Sequence, residues 1–270
     1  AAVGLPLEIY IGRLSWAKSQ HTKELKRWEG GAPLELVGDA MVIGDLHAPL
    51  TDYAFTSLVS KIAAKHLQAP RRLIVGGDLF DLESFSTWKK LTNGPEWHDE
   101  QHAIDMLMGE WNETFDEIIL LSGNHELRMP RATGGDFDIT DLAKLIAMPV
   151  TKTKVSKFGY CFLKSGNEKW AIVHPSEYSA ANQLGVLNDY AQKYLMHICG
   201  FHAHLLNMDW DKWGRHIIVN GGCLSDQDCF GYKTLVANRK PNWKLGFVMI
   251  REGTPYLFGK SPITRWEDWL

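Results

Sequence analysis

Five apolar runs in this chain end in oxygen or imidazole donors. They finish as Gly-Asp-Leu-His at 44–47, Gly-Gly-Asp-Leu-Phe-Asp at 76–81, Gly-Asn-His-Glu at 123–126, a terminal His174, and the His-x-His of His202 and His204. Asp45, His47, Asp78, Asn124 and His125 could converge, and His174, His202 and His204 end later runs in the same way, with Asp81 three residues after Asp78. Carboxylate, imidazole and carboxamide donors without a thiolate suit Mn, Fe or Zn better than Ca or a soft metal. The set exceeds the four ligands of one structural zinc, and Asp78 could bridge two ions about 3.5–4 Å apart, as in two-metal sites. Asp-x-His or His-x-His alone is a weak signal. The weight comes from several tips in order, each closing an apolar run.

Donors so distant in sequence meet only if the elements before them end on one side. "AMVIGD" (40–45), "RRLIVGGD" (71–78) and "EIILLSGN" (117–124) read as short buried strands. Between them, 53–67 places Phe55, Leu58, Val59 and Ile62 on one helical side, and 98–115 does the same with Ile104, Leu107, Met108 and Trp111. This alternation predicts an α/β fold with a largely parallel sheet, whose carboxyl-end loops gather where ligands bind. Farther on, 160–166 and 169–174 predict a hairpin, and 195–200, 215–222 and 246–250 predict further strands. Helices are expected around 138–147 and 180–194. The expected architecture is two packed sheets with helices outside, over 39–270, behind a polar N-terminal extension at 1–38. Residues 82–116 read as a Trp-rich helical insert, able to overhang the Asp78 tip as a cap.

The 270 residues carry a net charge of −3, so no general basic field draws in nucleic acid or an anionic membrane. A metal site can still supply positive charge locally. No apolar run approaches the 18 or so residues of a membrane span. The four cysteines lack a Cys-x-x-Cys pair and fit free thiols. With no signal peptide in view, that usage points to the cytoplasm. His66 reads as a core histidine, and His98 with His102 as helix-surface polarity.

Asp-x-His, Gly-Asp-x-x-Asp, Gly-Asn-His-Glu, a strand-terminal His and a final His-x-His, in that order, resemble the calcineurin-like metallophosphoesterase superfamily. The resemblance covers about 40–250; "GDLHAP", "GDLFDLESFS" and "PNWKLGF" liken it to a bacterial and phage branch. It implies a four-layer α/β/β/α sandwich with two divalent ions, Mn foremost and Fe, Zn, Ni or Mg as other choices. By motif, Asp45, His47 and His204 would bind the first ion, Asn124, His174 and His202 the second, and Asp78 both. His125 would act as general acid, oriented by a carboxylate such as Asp81 or Glu126. Three positions depart from the family pattern: Phe201 stands directly before His202, Pro175 follows His174, and Leu82 replaces the phosphate-binding Arg of the protein Ser/Thr phosphatase branch.

This ligand set predicts hydrolysis of a phosphate ester by water activated between two cations. Arg128 is placed either to contact a phosphate oxygen or to form a surface ion pair. In the insert, Trp88, Lys89, Lys90 and Trp97 read as groups that could stack a base and hold a phosphate. Trp210 and Trp213 follow the His-x-His tip. The expected substrate is a phosphodiester of a nucleotide or nucleic acid. A phosphomonoesterase is the second reading, and a nucleic-acid-associated regulatory protein with a vestigial metal site the third.

Overall fold

Side chains point alternately to the two faces of a strand, and that alternation assigns the layers of this molecule. The computed structural model describes residues 31–86, 94–146, 152–177, 179, 182–230, 242–261 and 268–270. In chain order the elements are β1 (Glu35–Val37), β2 (Ala40–Ile43), α1 (Tyr53–His66), β3 (Arg72–Val75), α2 (Trp97–Thr114), β4 (Glu117–Leu120), α3 (Arg128–Ala132) and α4 (Ile139–Lys144). They continue with β5 (Thr153–Val155), β6 (Tyr160–Ser165), β7 (Glu168–Val173), α5 (Gly185–Tyr194), β8 (His197–Gly200), β9 (Leu206–Trp210), β10 (Ile217–Gly221), β11 (Gly246–Arg251) and β12 (Thr254–Gly259). One sheet has the order β12-β11-β2-β3-β4-β5 and the other β1-β6-β7-β8-β10-β9.

Met41, Ile43, Leu73, Val75, Ile118 and Leu120 face α1 and α2 in the largest apolar cluster. Their neighbours Ala40, Val42, Ile74 and Ile119 face the other way. There they meet Leu163, Trp170, Ile172, Cys199 and Val219 of the second sheet. That sheet's outer face, with Ala171, Val173, Ile198 and Ile218, packs on Leu187 and Ala191 of α5. The result is the expected helix, sheet, sheet, helix sandwich. α1 begins where the Asp52 carboxylate accepts the Phe55 N–H at 3.0 Å, satisfying one unpaired donor of the first turn.

The strands the sequence reading missed are β1, β5, β9 and β12. All four are sheet edges. An edge strand is covered on fewer sides and carries no continuous apolar run; Glu35–Val37, for example, is exposed, buried, exposed. β1 lies inside the expected extension and pairs in parallel with β6, while residues 1–30 lie outside the described residues. The expected cap divides as well. Residues 97–114 form the helix flanking β3 and β4, with Ile104, Leu107, Met108 and Trp111 in the core. Residues 87–93, including Trp88, Lys89 and Lys90, lie outside the described residues. No helix among the described residues is long and apolar enough to cross a membrane.

Phe201, the departure before His202, is 2% exposed and lies between the sheets. A Cβ at Gly44, Gly76 or Gly221 would overlap its ring. None of these three glycines has a positive φ, so it is room for the ring that their lack of a side chain provides. The ring fills the space where β2, β3 and β10 end, directly beneath the loops that carry the donors.

Gly76→Ala is expected to destabilise the protein by about 1–3 kcal/mol through overpacking. Phe201→Ala should cost about 3–5 kcal/mol. Because the two changes relieve one another, the double variant should lose less than their sum by about 1 kcal/mol or more, in urea unfolding of all four proteins. Strict additivity would show that the ring and the glycine do not constrain each other.

Candidate active site

β2, β3 and β4 are parallel neighbours, so the loops that follow them leave one edge of their sheet. β7 and β8 are parallel in the other sheet. Asp45 and His47 follow β2, Asp78 and Asp81 follow β3, Asn124 and His125 follow β4, His174 follows β7, and His202 and His204 follow β8. The loops are tied to each other: the N–H groups of Leu46 and His47 both donate to the Asp78 carbonyl, at 2.9 and 3.0 Å.

All seven expected donors come together. Asp45, His47 and His204 form one group, and Asp78, His174 and His202 another. Asn124 joins the second group, its Oδ1 3.1 Å from His174 Nε2. Asp78 stands between the groups. Its Oδ2 lies 3.3 Å from His174 Nε2, 3.8 Å from His47 Nε2 and 4.0 Å from His125 Nε2. Asp45, His47, Asp78, His202 and His204 all have φ between 48° and 76°, a left-handed conformation costing a non-glycine residue about 1–2 kcal/mol. Strain of this kind persists only where the surroundings enforce it, and it clusters at functional sites.

The donors fit divalent ions by their own chemistry. Asp45 is fully buried, and its Oδ1 has no hydrogen-bond partner. His47 Nε2 and His204 Nε2 face each other at 3.1 Å. A buried acceptor without a donor beside two converging imidazoles is the arrangement that a shared cation satisfies. Without ions the groups titrate far from their usual values. Burial pushes the Asp45 carboxyl up to about 8 despite the nearby His174. Burial opposes a charge on His174 as well, but the Asp78 carboxylate outweighs it and carries that imidazole to about 10. Burial and the charged His174 lower His202 to about 4.

His125 meets His47 and Asp78 in a third group whose ligand atoms lie close enough to hold an ion, although the motif resemblance gives it another role. Its ring packs edge-on against His47 at 4.3 Å. Nδ1 lies 2.7 Å from the Asp81 carbonyl and 3.2 Å from Asp81 Oδ1. Arg128 Nη2 is 3.1 Å from Nε2; because a guanidinium only donates, Nδ1 carries the proton given to Asp81 and Nε2 accepts. Burial disfavours charge on the ring, but the carboxylates of Asp78 and Asp81 overcome it, and its pKa rises above the ordinary histidine value. Arg128 also donates to the Asp81 carbonyl at 2.8 Å and pairs with Glu83 at 3.2 Å.

Asp81 is therefore the carboxylate beside His125, and Glu126 does something else. The Glu126 side chain accepts the N–H groups of Asp78, Leu79, Phe80 and Gly123 at 2.7–3.2 Å. It pins the β3 and β4 loops together from inside. Gly123 is required beside it, since a Cβ there would collide with the Asp78 carboxylate. Glu100 was not foreseen. It is buried on α2, and its Oε2 accepts the N–H of Leu82 at 2.8 Å, holding the residue after Asp81. Nothing in a helical stretch full of Glu and Asp distinguishes it by spacing. On the His47 and His204 side, Phe230 and Trp243 wall the site, 5.6 Å from His47 and 4.2 Å from His204 respectively. Trp97 instead stacks on Phe80 at 6.1 Å, and Trp210 and Trp213 are exposed.

A family model described as calcineurin-like phosphoesterase matches residues 40–213. No curated protein matches the sequence. Solved structures that match include vacuolar protein sorting 29 from Cryptosporidium parvum, at 13% identity over 83% of this chain and 96% of that chain, TM-score 0.43. Another is a conserved uncharacterized protein, described as a predicted phosphoesterase, from Streptococcus pneumoniae TIGR4, at 13% identity over 83% and 98%, TM-score 0.36. A putative diadenosine tetraphosphatase matches at 12% identity over 86% and 100%, TM-score 0.39.

Asp45 supplies a test of the metal-free site. Its pKa is 3.8 when unperturbed and about 8 in the fold. Between these values the folded state keeps a proton that the unfolded state has lost. The group's stabilising contribution is complete at lower pH and disappears as pH rises through about 8. Asp45→Asn should therefore melt above the wild type at about pH 9 in chelator, and the gap should close towards about pH 4. Calorimetry at both pH values reads this; a gap independent of pH would show that Asp45 is not held protonated.

Proposed function

Because this chain belongs to the calcineurin-like phosphoesterase family, we propose that it hydrolyses phosphate esters at a pair of divalent ions, manganese foremost, and that its substrates are phosphodiesters of nucleotides or nucleic acid. The observation that carries the two-ion reading is Asp78 Oδ2, within 4.0 Å of the imidazoles of His47, His125 and His174 and between the two donor groups. Asp45, His47 and His204 would hold the first ion and Asn124, His174 and His202 the second, with Asp78 placed to serve both. When bound, such ions neutralise phosphate oxygens and make a water acidic enough to attack at neutral pH.

The remaining work falls to the chain itself. His125 Nε2 and Arg128 Nη2 converge to within 3.1 Å, so an ester oxygen that parts them meets the guanidinium and, once Nε2 takes up a proton, a second donor. The protonated ring gives its proton to the leaving oxygen, and the guanidinium balances charge on the phosphate. Asp81 keeps the ring oriented through Nδ1 and favours its protonated form. Leu82, in place of an arginine, removes a charge suited to the extra negative charge of a monoester, which supports the diester over the monoester.

Protein stripped of metal and reloaded with Mn²⁺ should cleave bis-p-nitrophenyl phosphate. Cleavage of the mono-ester alone would replace the diesterase reading, and no turnover of either with both ions bound would remove the hydrolase reading. His125→Ala should keep both ions by elemental analysis while losing turnover about 10²–10⁴-fold. Loss of an ion in that variant would make His125 a ligand. Asp78→Asn should lose metal and activity together.

A further inference from the structure

A cleft of about 260 Å³ opens beside Asn124 and His174. Its far wall is aromatic and basic: Tyr160, Tyr190, Tyr194 and Lys193. Tyr190 and Tyr194 lie nearly parallel at 5.9 Å, and Tyr160 leans on Tyr194 at 5.7 Å. Lys193 is exposed, stands 5.2 and 5.9 Å from the centres of the Tyr194 and Tyr190 rings, and has no carboxylate partner among the described residues. Lys157, also at the rim, is paired with Asp138 at 2.6 Å, which leaves Lys193 as the available cation. Burial, and after it the Glu177 carboxylate, raises the Tyr190 phenol, so this phenol is a neutral donor at physiological pH.

The position of this cleft matters as much as its lining. His125 Nε2 faces Arg128, and neither residue lines the cleft, which borders Asn124 and His174. If His125 protonates the leaving oxygen, the leaving group lies towards Nε2 and Arg128. A phosphomonoester has one organic group and sends it that way. Only a diester has a second organic group to place in the cleft.

We propose that the cleft lined by Tyr160, Tyr190, Tyr194 and Lys193 binds the retained group of a phosphodiester, and that this group is a single nucleoside. The proposal rests on the two-ion hydrolase reading and specifies its substrate. A base stacks on the tyrosine faces, as bases do on aromatic platforms, and Lys193 adds charge for the phosphate. The volume is just below the ~300–1,000 Å³ of sites for drug-sized ligands, which suits one nucleoside and not a duplex. In the reaction the P–O bond to the leaving alcohol breaks, the oxygen of water forms the new bond to phosphorus, and the leaving oxygen takes the His125 proton. The nucleoside stays in the cleft as its monophosphate.

The test compares methyl p-nitrophenyl phosphate with the p-nitrophenyl ester of thymidine 5′-phosphate, which share a leaving group and differ in the retained one. In the Mn²⁺-loaded wild type kcat/KM should favour the thymidine ester by about tenfold or more, the order of one base–aromatic stack. In Tyr190→Ala and in Lys193→Ala, the second at an exposed position, that ratio should fall towards one. A wild-type ratio near one, or a ratio untouched by either variant, overturns the proposal. Equilibrium dialysis of thymidine 5′-monophosphate against the loaded proteins separates this from the hydrolase reading. If neither ester turns over, that reading fails, yet binding weakened about tenfold in the variants would still support the cleft, and unchanged binding would overturn it.

Discussion

The buried carboxylate of Asp78 is the constraint around which the rest of this molecule is arranged. It is 1% exposed, and a charge so far from water is tolerated only when paired and hydrogen-bonded. The pairing comes from imidazoles on three other loops, and one oxygen accepts the His125 N–H at 2.8 Å. Burial works against its charge, but His174 and His125 hold its pKa well below the ordinary carboxylate range. A second buried carboxylate, Glu126, accepts four backbone N–H groups. Two like charges so close raise each other's cost. That cost is met by locking two loops into one position, which is what a site of defined geometry requires.

The sandwich supplies the means. Parallel strands deliver consecutive loops to the same edge, and alternation buries both faces of each sheet, leaving the loops above a rigid floor. Phe201 belongs to that floor. The usual small residue before the last His-x-His is replaced by a ring, and three glycines at the ends of three strands make the space for it. The backbone still turns at His202, φ 76°, and its N–H still reaches Asp45 Oδ2 at 2.8 Å. The larger residue is absorbed below the site without displacing the donor above it.

The surroundings are unequal on the two sides of the donor pair. Phe230 and Trp243 pack beside His47 and His204; towards Asn124 and His174 a cleft opens that is lined by tyrosines. Among the tryptophans, Trp111 and Trp170 are wholly buried, which is the ordinary use of a large apolar ring.

The sequence by itself marked the central strands, the helices between them and the residues whose loops converge, because buried strands read as apolar runs and each run ended in a polar tip. It also marked Phe201, Pro175 and Leu82 as departures. Edge strands were illegible, since a half-covered strand such as Glu35–Val37 needs no apolar run. Only the tertiary structure decided between Asp81 and Glu126, adjacent in motif and alike in chemistry: one faces the His125 ring and the other turns inward to backbone N–H groups. It alone made Glu100 a support of the Asp81 loop, and Tyr160, Tyr190 and Tyr194 one wall, although they come from β6 and α5. Contacts of this kind join residues far apart in the chain, and their physical basis is shared burial, which has no period and no spacing to read.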